Sequence, residues 1–119
     1  MKEADIMRSI QLDLSKDPNI RLFRNNVGVL QDVNGQHVRY GLCPGSSDLI
    51  GWTAVEVTPS MVGTKIAIFT AQEVKTPTGR VTVEQENFIA AVIRAGGFAG
   101  VVRDTSDALA VCKIKGEKQ

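Results

Sequence analysis

The sequence predicts an α/β domain in which a mixed central sheet is flanked by helices. Helical stripes of apolar residues occur near the start of the chain and again after residue 82, and extended apolar segments lie between and beyond them. The element order is αβββαβα, an alternation that is typical of a sheet covered by helices. The 119 residues, of which 43% are hydrophobic and 23% charged, suffice for one core and are too few for two ordinary domains. We therefore expect a single domain over residues 1–119, stable without a structural metal or a disulfide framework.

The first half of the chain predicts one helix and several extended segments. Residues 2–15 carry apolar side chains at helical spacing, and Asp17-Pro18 ends this helix. Extended segments follow at residues 20–24, 27–30, 38–40 and 48–52. Asn34-Gly35 predicts a hairpin turn between the second and third of them. The fourth opens at Asp48, directly after a Pro-Gly-Ser-Ser loop.

The second half of the chain predicts a strand, a helix, a strand and a short helix. Residues 65–75 are rich in Ile, Phe and Val without a helical stripe, which predicts a central strand. Thr82-Val83-Glu84-Gln85 matches a capping box that begins the second helix, and Gly96-Gly97 ends it. Residues 98–103 form a nearly continuous apolar strand, and residues 106–112 predict the last helix.

The composition excludes several classes of protein. Cys43 and Cys112 lie too far apart to form a CxxC zinc or redox pair, and the single histidine, His37, excludes zinc sites of the His-Glu-x-x-His type. The net charge of +1 lacks the bulk positive charge of proteins that bind nucleic acid by field strength, although basic residues can still cluster on one face. No apolar stretch approaches the roughly 20 residues that a bilayer requires, so we expect no membrane span. The first residues are acidic where a secretory signal is basic and then apolar, which favours a cytoplasmic protein.

Two carboxylates and a lysine fall at the ends of predicted strands. Alternate side chains of a strand share a face, so Glu73 and Lys75 are neighbours at the end of the strand over residues 65–75. Asp48 opens another strand, and two carboxylates helped by a backbone carbonyl such as that of Val74 are hard oxygen ligands suited to Mg²⁺. The lysine would then orient a nucleophile. The alternatives are a Glu73–Lys75 pair in solvent and an Asp48 that only makes an Asx turn.

Each of the two longer helices begins its apolar face with a polar residue. Glu3 extends the stripe of the first helix by one turn, and Gln85 opens the stripe of the second. Both have a structural alternative, since Glu3 complements the helix dipole and Gln85 completes the capping box with Thr82. In the functional interpretation, both side chains face the cleft that the strand ends form.

These residues, in this order, resemble a known nuclease pattern. Asp48 followed by Glu73-Val74-Lys75 resembles the Asp...Glu-x-Lys signature of the PD-(D/E)xK nuclease superfamily, whose αβββαβ core matches the element order. Four linked motifs narrow the resemblance to the VRR-NUC family, the virus-type replication-repair nucleases. They are Gly45-Ser46-Ser47-Asp48-Leu49-Ile50-Gly51, Glu73-Val74-Lys75, Gln85-x-x-Phe88 and Ala95-Gly96-Gly97-Phe98-Ala99. Ser47 stands where the family often has Pro, a departure that it commonly tolerates. The resemblance covers nearly the whole chain and implies a restriction-endonuclease-like α/β fold.

The resemblance implies a role for each of these residues. Asp48 and Glu73, together with the Val74 carbonyl, would ligate Mg²⁺ or Mn²⁺, and Glu3 would be an outer ligand or hold a metal-bound water. Lys75 would position or help deprotonate the attacking water and offset charge in the transition state. Gln85 would support Lys75 or the phosphate.

The implied activity is a metal-dependent, structure-selective DNA endonuclease. Its substrate would be branched DNA such as Holliday junctions or flaps, cut by a homodimer that presents two sites. Five arginines are candidates for phosphate contacts, namely Arg21, Arg24, Arg39, Arg80 and Arg103. The alternative is a non-catalytic DNA-binding or regulatory module on a nuclease-like fold, although such a module would usually lose one of Asp48, Glu73 and Lys75.

Overall fold

The computed structural model describes residues 2–114, which fall into two compact units that divide between Thr53 and Ala54. The elements of the first unit are α1 (Glu3–Leu14), β1 (Ile20–Arg24), β2 (Gly28–Gln31), β3 (His37–Tyr40) and β4 (Leu49–Thr53). The elements of the second are a 3-10 turn (Pro59–Met61), β5 (Thr70–Val74), α2 (Val83–Arg94), β6 (Phe98–Val102) and α3 (Thr105–Val111). The single domain over residues 1–119 stays a prediction.

The first unit contains two antiparallel strand pairs. Strand β1 pairs with β4 along their full lengths, from Ile20 opposite Thr53 to Arg24 opposite Leu49. Gly51 is required within this pair, because a Cβ there would collide with the Arg21 carbonyl of the facing strand. Strands β2 and β3 form the predicted hairpin, in which Gly35 takes the left-handed conformation with φ 77°.

The second unit is built around a parallel pair. Helix α2 connects β5 to β6, whose register runs from Thr70 opposite Phe98 to Val74 opposite Val102. The most buried side chains of the described residues, Val92 of α2 and Val102 of β6, lie in this unit. Its core therefore lies where α2 covers the β5–β6 pair.

The two ends of α2 follow from local sequence signals. The capping box of Thr82 and Gln85 forms as predicted. At the other end, the Gly96 and Gly97 N–H groups donate to the Ile93 and Val92 carbonyls, and Gly96 has φ 98°. This is a Schellman motif, and it confirms the predicted end of the helix.

The α/β class is confirmed, because two antiparallel pairs and one parallel pair are accompanied by helices. Five strands precede α2, which matches the five extended segments predicted over residues 20–75, whereas the predicted order αβββαβα counts three. Strands β2 and β3 form a two-stranded sheet of their own. The three pairs are separate in their hydrogen bonding over residues 2–114, so the described residues do not display one mixed central sheet.

The predicted central strand over residues 65–75 is too long. Only Thr70–Val74 is a strand, and its backbone pairing extends by one bond at each end, from the Phe69 carbonyl and from the Lys75 N–H. The reason is the length of its partner. Strand β6 begins directly after the turn that ends α2 and spans five residues, so residues 65–68 have no strand to pair with there.

Candidate active site

Glu73 and Lys75 lie at the end of β5 and share one face of it. Exposure alternates along the strand, with Ala71 and Glu73 half-buried between exposed neighbours. The Lys75 Nζ lies 3.5 Å from Glu73 Oε1, and the two side chains are only 19% and 32% exposed. The predicted proximity of the pair is thus confirmed, and the alternative of a pair exposed to solvent does not describe it.

Gln85 connects α2 to this carboxylate. Its Oε1 accepts the Thr82 N–H at 3.0 Å as part of the capping box, and its Nε2 donates to Glu73 Oε1 at 2.6 Å. An amide has one acceptor oxygen and one donor nitrogen, so the cap fixes which of them faces Glu73. The structural and the functional interpretations of Gln85 are therefore compatible, and its amide contacts Glu73, whereas the sequence assigned it to Lys75 or the phosphate.

The carboxylate of Glu73 lines a cavity of about 470 Å³. The other lining residues are Ala71, Gln72, Glu84, Gln85, Phe88 and Ile89. Oε1 takes both donors, the Gln85 amide and the Lys75 ammonium, while no described residue donates a hydrogen bond to Oε2. The second oxygen therefore remains available to bind a cation.

The Val74 carbonyl is turned away from β6. In a parallel pair, alternate residues direct both their backbone groups to the same neighbour. The Phe69 carbonyl and the Lys75 N–H bond to β6, which assigns the odd-numbered residues of β5 to that ladder. Val74 falls in the other set, so its carbonyl oxygen lies on the edge of β5 that β6 does not use.

Asp48 lies in the first unit, directly before β4. Its backbone carbonyl accepts the Asn25 N–H at 2.8 Å, which continues the β1–β4 pairing by one bond. Its side chain is exposed and makes no hydrogen bond to any residue between 2 and 114, so no Asx turn forms. The carboxylate is thus free of protein partners in the described part of the chain.

Asn25 fixes the loop that leads to Asp48, and the sequence analysis did not identify it. Its amide nitrogen donates to Ser46 Oγ at 2.8 Å and to the Ser47 carbonyl at 2.9 Å, and its oxygen accepts the Leu42 N–H at 3.0 Å. Both donors of this half-buried amide and one acceptor position of its oxygen are directed at the loop. The only sequence signal was the Asn25-Asn26 break between two strands, which is also typical of an ordinary turn.

Two cavities of the first unit share Asp48. The smaller, of about 180 Å³, is lined by Glu3, Ile6, Met7, Ile10, Asp48 and Leu49. Glu3 is the first residue of α1 and its side chain is exposed. It shares this smaller cavity with Asp48. The larger cavity, of about 300 Å³, is polar and is lined by Met7, Arg24, Asn25, Asn26, Val27, Tyr40 and Asp48.

The donor chemistry of these sites suits a hard cation. Within neither unit do three or more His, Cys, Asp or Glu side chains of residues 2–114 come together. The candidate ligand atoms in the cavities are oxygens, from Glu3 and Asp48 in the first unit and from Glu73 in the second. Val74 does not line the Glu73 cavity. Oxygen ligands without histidine or thiolate fit Mg²⁺ or Mn²⁺.

Three of the arginines predicted to contact phosphate differ in the contacts that their side chains make within the protein. Arg103 donates through Nη1 to the Thr76 and Gly79 carbonyls, so it fastens the loop that follows Lys75. The Arg21 guanidinium lies over two rings of its own unit, 5.8 Å from Phe23 and 5.7 Å from Trp52. Within residues 2–114, the Arg24 side chain makes one hydrogen bond, from Nε to Asn26 Oδ1 at 2.8 Å.

The family model of the VRR-NUC domain matches residues 18–105. The chain belongs to the VRR-NUC family. Comparison with curated proteins and with solved structures gave no significant match.

VRR-NUC domains are nucleases, so membership implies nuclease-type activity in general, with DNA as the implied substrate. Asp48, Glu73, Lys75 and Gln85 all fall within the matched residues, whereas Glu3 precedes them. Nucleases of the PD-(D/E)xK type usually use divalent metals. No helix among residues 2–114 is long and apolar enough to cross a bilayer.

Proposed function

We propose that this VRR-NUC chain is a divalent-metal-dependent DNA endonuclease that hydrolyses phosphodiester bonds in branched DNA, such as Holliday junctions or flaps. The observation that carries the proposal is the half-buried Glu73, which Gln85 and Lys75 hold at the end of β5. A surface carboxylate needs no such donors, because water solvates it. The two donors orient Glu73 in a way that a merely solvated Glu would not require.

In this proposal Asp48, Glu73 and the Val74 carbonyl bind Mg²⁺ or Mn²⁺, with Glu3 as an outer ligand. The bound metal would act as a Lewis acid toward the phosphate and make water a better nucleophile. The oxygen donors fit this role, since the Asp48 carboxylate and Glu73 Oε2 have no donor among the described residues. A restriction-endonuclease-like αβββαβ core, with one mixed sheet, is part of the same proposal.

Lys75 and Gln85 would act through their hydrogen bonds. Lys75 Nζ carries three N–H donors, of which one lies toward Glu73 Oε1. The other two can hold the attacking water and a phosphate oxygen and offset the negative charge that develops on that phosphate. Gln85 keeps Glu73 in a single orientation, because the capping box holds its own amide in place.

We further propose a homodimer with two-fold symmetry, acting in the cytoplasm of a bacterial or phage-infected host cell. The net charge of +1 gives one chain little long-range attraction for DNA, and paired chains would join their basic residues into a larger surface. Two copies of the site would allow symmetric incision of a four-way junction. Sedimentation at micromolar protein tests this, and a species at the 12.9 kDa monomer mass with and without junction DNA would contradict it.

The activity is tested with linear duplex, flap and four-way junction DNA, each incubated with Mg²⁺, Mn²⁺ or EDTA. We expect cleavage with either metal, none in EDTA, and a preference for the branched substrates. Glu73→Gln serves as the matched inactive protein, because it retains the size of the side chain and loses its charge. DNA binding without cleavage under every metal condition would support the alternative of a non-catalytic binding module.

A further inference from the structure

The larger cavity of the first unit brings a guanidinium and a carboxylate to one polar wall. Arg24, the last residue of β1, and Asp48, directly before β4, both line it, and β1 and β4 pair at this end through Arg24 opposite Leu49. No ion pair joins Arg24 to Asp48, and neither side chain has another ionic partner among residues 2–114. Arg24 and Asp48 thus bring one positive and one negative group to the same cavity without a direct ion pair.

Asn26 orients the guanidinium. Its Oδ1 accepts the Arg24 Nε–H at 2.8 Å, which uses one of the five donors and leaves the two Nη groups. Those two groups present a planar pair of donors that matches two oxygens of a phosphate. Arg103 and Arg21 differ, since the first is bonded to loop carbonyls and the second lies over aromatic rings.

The two asparagine amides of the cavity accept no hydrogen bond from the Nη groups of Arg24. The Asn25 amide, which also lines it, donates twice to the loop from Leu42 to Ser47 and accepts one hydrogen bond from it. Asn26 is the acceptor that already holds Nε. The Nη groups of Arg24 have no acceptor among the described residues, and the side chain is exposed, so an anion from solution can reach them.

We propose that Arg24, oriented by Asn26, binds a backbone phosphate of the DNA at the cavity that Asp48 lines. The inference rests on the proposed function, since it takes DNA as the ligand. Phosphate contacts of this kind position a nucleic acid without reading its sequence. A phosphodiesterase must hold the DNA backbone close to its catalytic carboxylates. A phosphate bound by Arg24 would therefore set the register of the DNA relative to Asp48.

The test is a binding measurement with Arg24→Gln and Arg24→Lys, and with Arg8→Gln as the control, because Arg8 is exposed in the same unit and lines neither cavity. Fluorescence anisotropy with a labelled DNA duplex is recorded in EDTA and in Ca²⁺ over a range of salt. We expect Arg24→Gln to raise Kd about tenfold, as for the loss of one charged hydrogen-bonded contact. The slope of log K against log salt should fall by about 0.9, the value for one phosphate.

The remaining variants separate geometry from charge. Arg24→Lys retains the charge but lacks the planar fork, so an intermediate Kd is expected, while Arg8→Gln should stay within about twofold of wild type, since an exposed arginine away from the contact contributes little. Duplexes with one neutral methylphosphonate at successive positions locate the contact. Wild type should lose affinity at one position where Arg24→Gln loses none.

The outcomes for the phosphate site and for the nuclease are distinguishable. If Arg24→Gln binds like Arg8→Gln, or if wild type binds no DNA in either condition, the phosphate site is wrong. Cleavage by wild type in Mg²⁺ would still support the nuclease in the first case. If wild type cleaves in no metal and Arg24→Gln still weakens binding, the phosphate site stands and the proposed nuclease activity fails. Melting temperatures of all variants show that folding is retained.

Discussion

Glu73 and Asp48, the two carboxylates proposed to bind the metal, are held in different ways. Glu73 is half-buried and is fixed through its side chain, by the Gln85 amide and the Lys75 ammonium. Asp48 is exposed and is fixed through its main chain, by the Asn25 N–H. A carboxylate that leaves water needs donors of its own, whereas an exposed one keeps its hydration and needs only a defined backbone. The same chemical group can thus be positioned by neighbouring side chains or by a loop.

The largest expected effect is the loss of cleavage in Glu73→Ala and in Asp48→Ala. Each variant removes a proposed metal ligand, so cleavage should fall by about 1,000-fold or more, as for several kcal/mol of lost transition-state stabilisation. Their stabilities should differ. Glu73→Ala leaves Lys75 and Gln85 without their acceptor and should cost about 1 kcal/mol, whereas Asp48→Ala should stay within about 0.5 kcal/mol of wild type.

Urea unfolding and calorimetry with Mn²⁺ check this pair of variants. Glu86→Ala is the control, because Glu86 is exposed in the first turn of α2 and does not line the Glu73 cavity. Equal losses of stability would contradict the comparison. If both variants bound Mn²⁺ as wild type does, the proposed ligands would be wrong.

The next largest effect is expected for Lys75→Ala, which separates metal binding from the rate of cleavage. The lysine is not a metal ligand in the proposal, so Mn²⁺ affinity should survive while turnover falls by about 100-fold for a lost transition-state charge. Lys65→Ala is the control, since Lys65 is exposed in the same unit. Near-normal turnover of Lys75→Ala would leave the Glu73–Lys75 pair with a structural role only.

Gln85→Glu sharpens the account of Glu73. The substitution retains an acceptor for the Thr82 N–H, but it places a second carboxylate where the amide now donates to Glu73 at 2.6 Å. We expect cleavage to fall about tenfold through misplacement of Glu73, which corresponds to roughly 1.4 kcal/mol. Thr82→Ala, the comparison variant, removes only the cap and should cost about 1 kcal/mol of stability with cleavage within about twofold. Equal cleavage by both variants would reduce Gln85 to a capping residue.

Asn25→Asp addresses the position of Asp48, and its expected effect is on stability. An oxygen in place of the amide nitrogen would face the Ser47 carbonyl and could not donate to it. Stability should fall by about 1–2 kcal/mol, because a half-buried hydrogen-bonding group is left unpaired. The control is Asn34→Asp in the exposed hairpin turn, for which about 0.5 kcal/mol or less is expected. Urea unfolding measures both, and similar values would show that Asn25 does not fix the loop before Asp48.

The parts of the fold that local signals specify could be predicted closely. Thr82, Gln85, Gly96 and Gly97 each act within one turn of α2, so its start and end follow from the sequence. The strand over residues 65–75 was predicted too long, because its length depends on β6, which lies more than 20 residues further along the chain. The local sequence pattern of a strand does not specify which strand it pairs with or how long the pairing is.

The candidate site shows the same division. Glu73 and Lys75 could be placed together from alternation alone, since Glu73 lies on β5 and Lys75 directly follows it with its N–H still paired to β6. The contact between Gln85 and Glu73 could not, because it depends on how α2 packs on β5. Asn25 escaped notice for a related reason: its three side-chain contacts lie 17 to 22 residues away in the sequence.

The backbone of Lys75 ties the proposed chemistry to the unfolding of β5 and β6. Its N–H donates to the Val102 carbonyl at 3.0 Å, beside one of the two most buried side chains of the described residues. A ladder amide of this kind exchanges with solvent deuterium only when the strands separate. The exchange rate at Lys75 therefore measures how often the end of β5 detaches from β6. Since Glu73 and Val74 lie on this same short strand, each detachment would also displace the groups proposed to hold the metal. A cation that binds the paired strands should therefore slow the exchange in proportion to its occupancy.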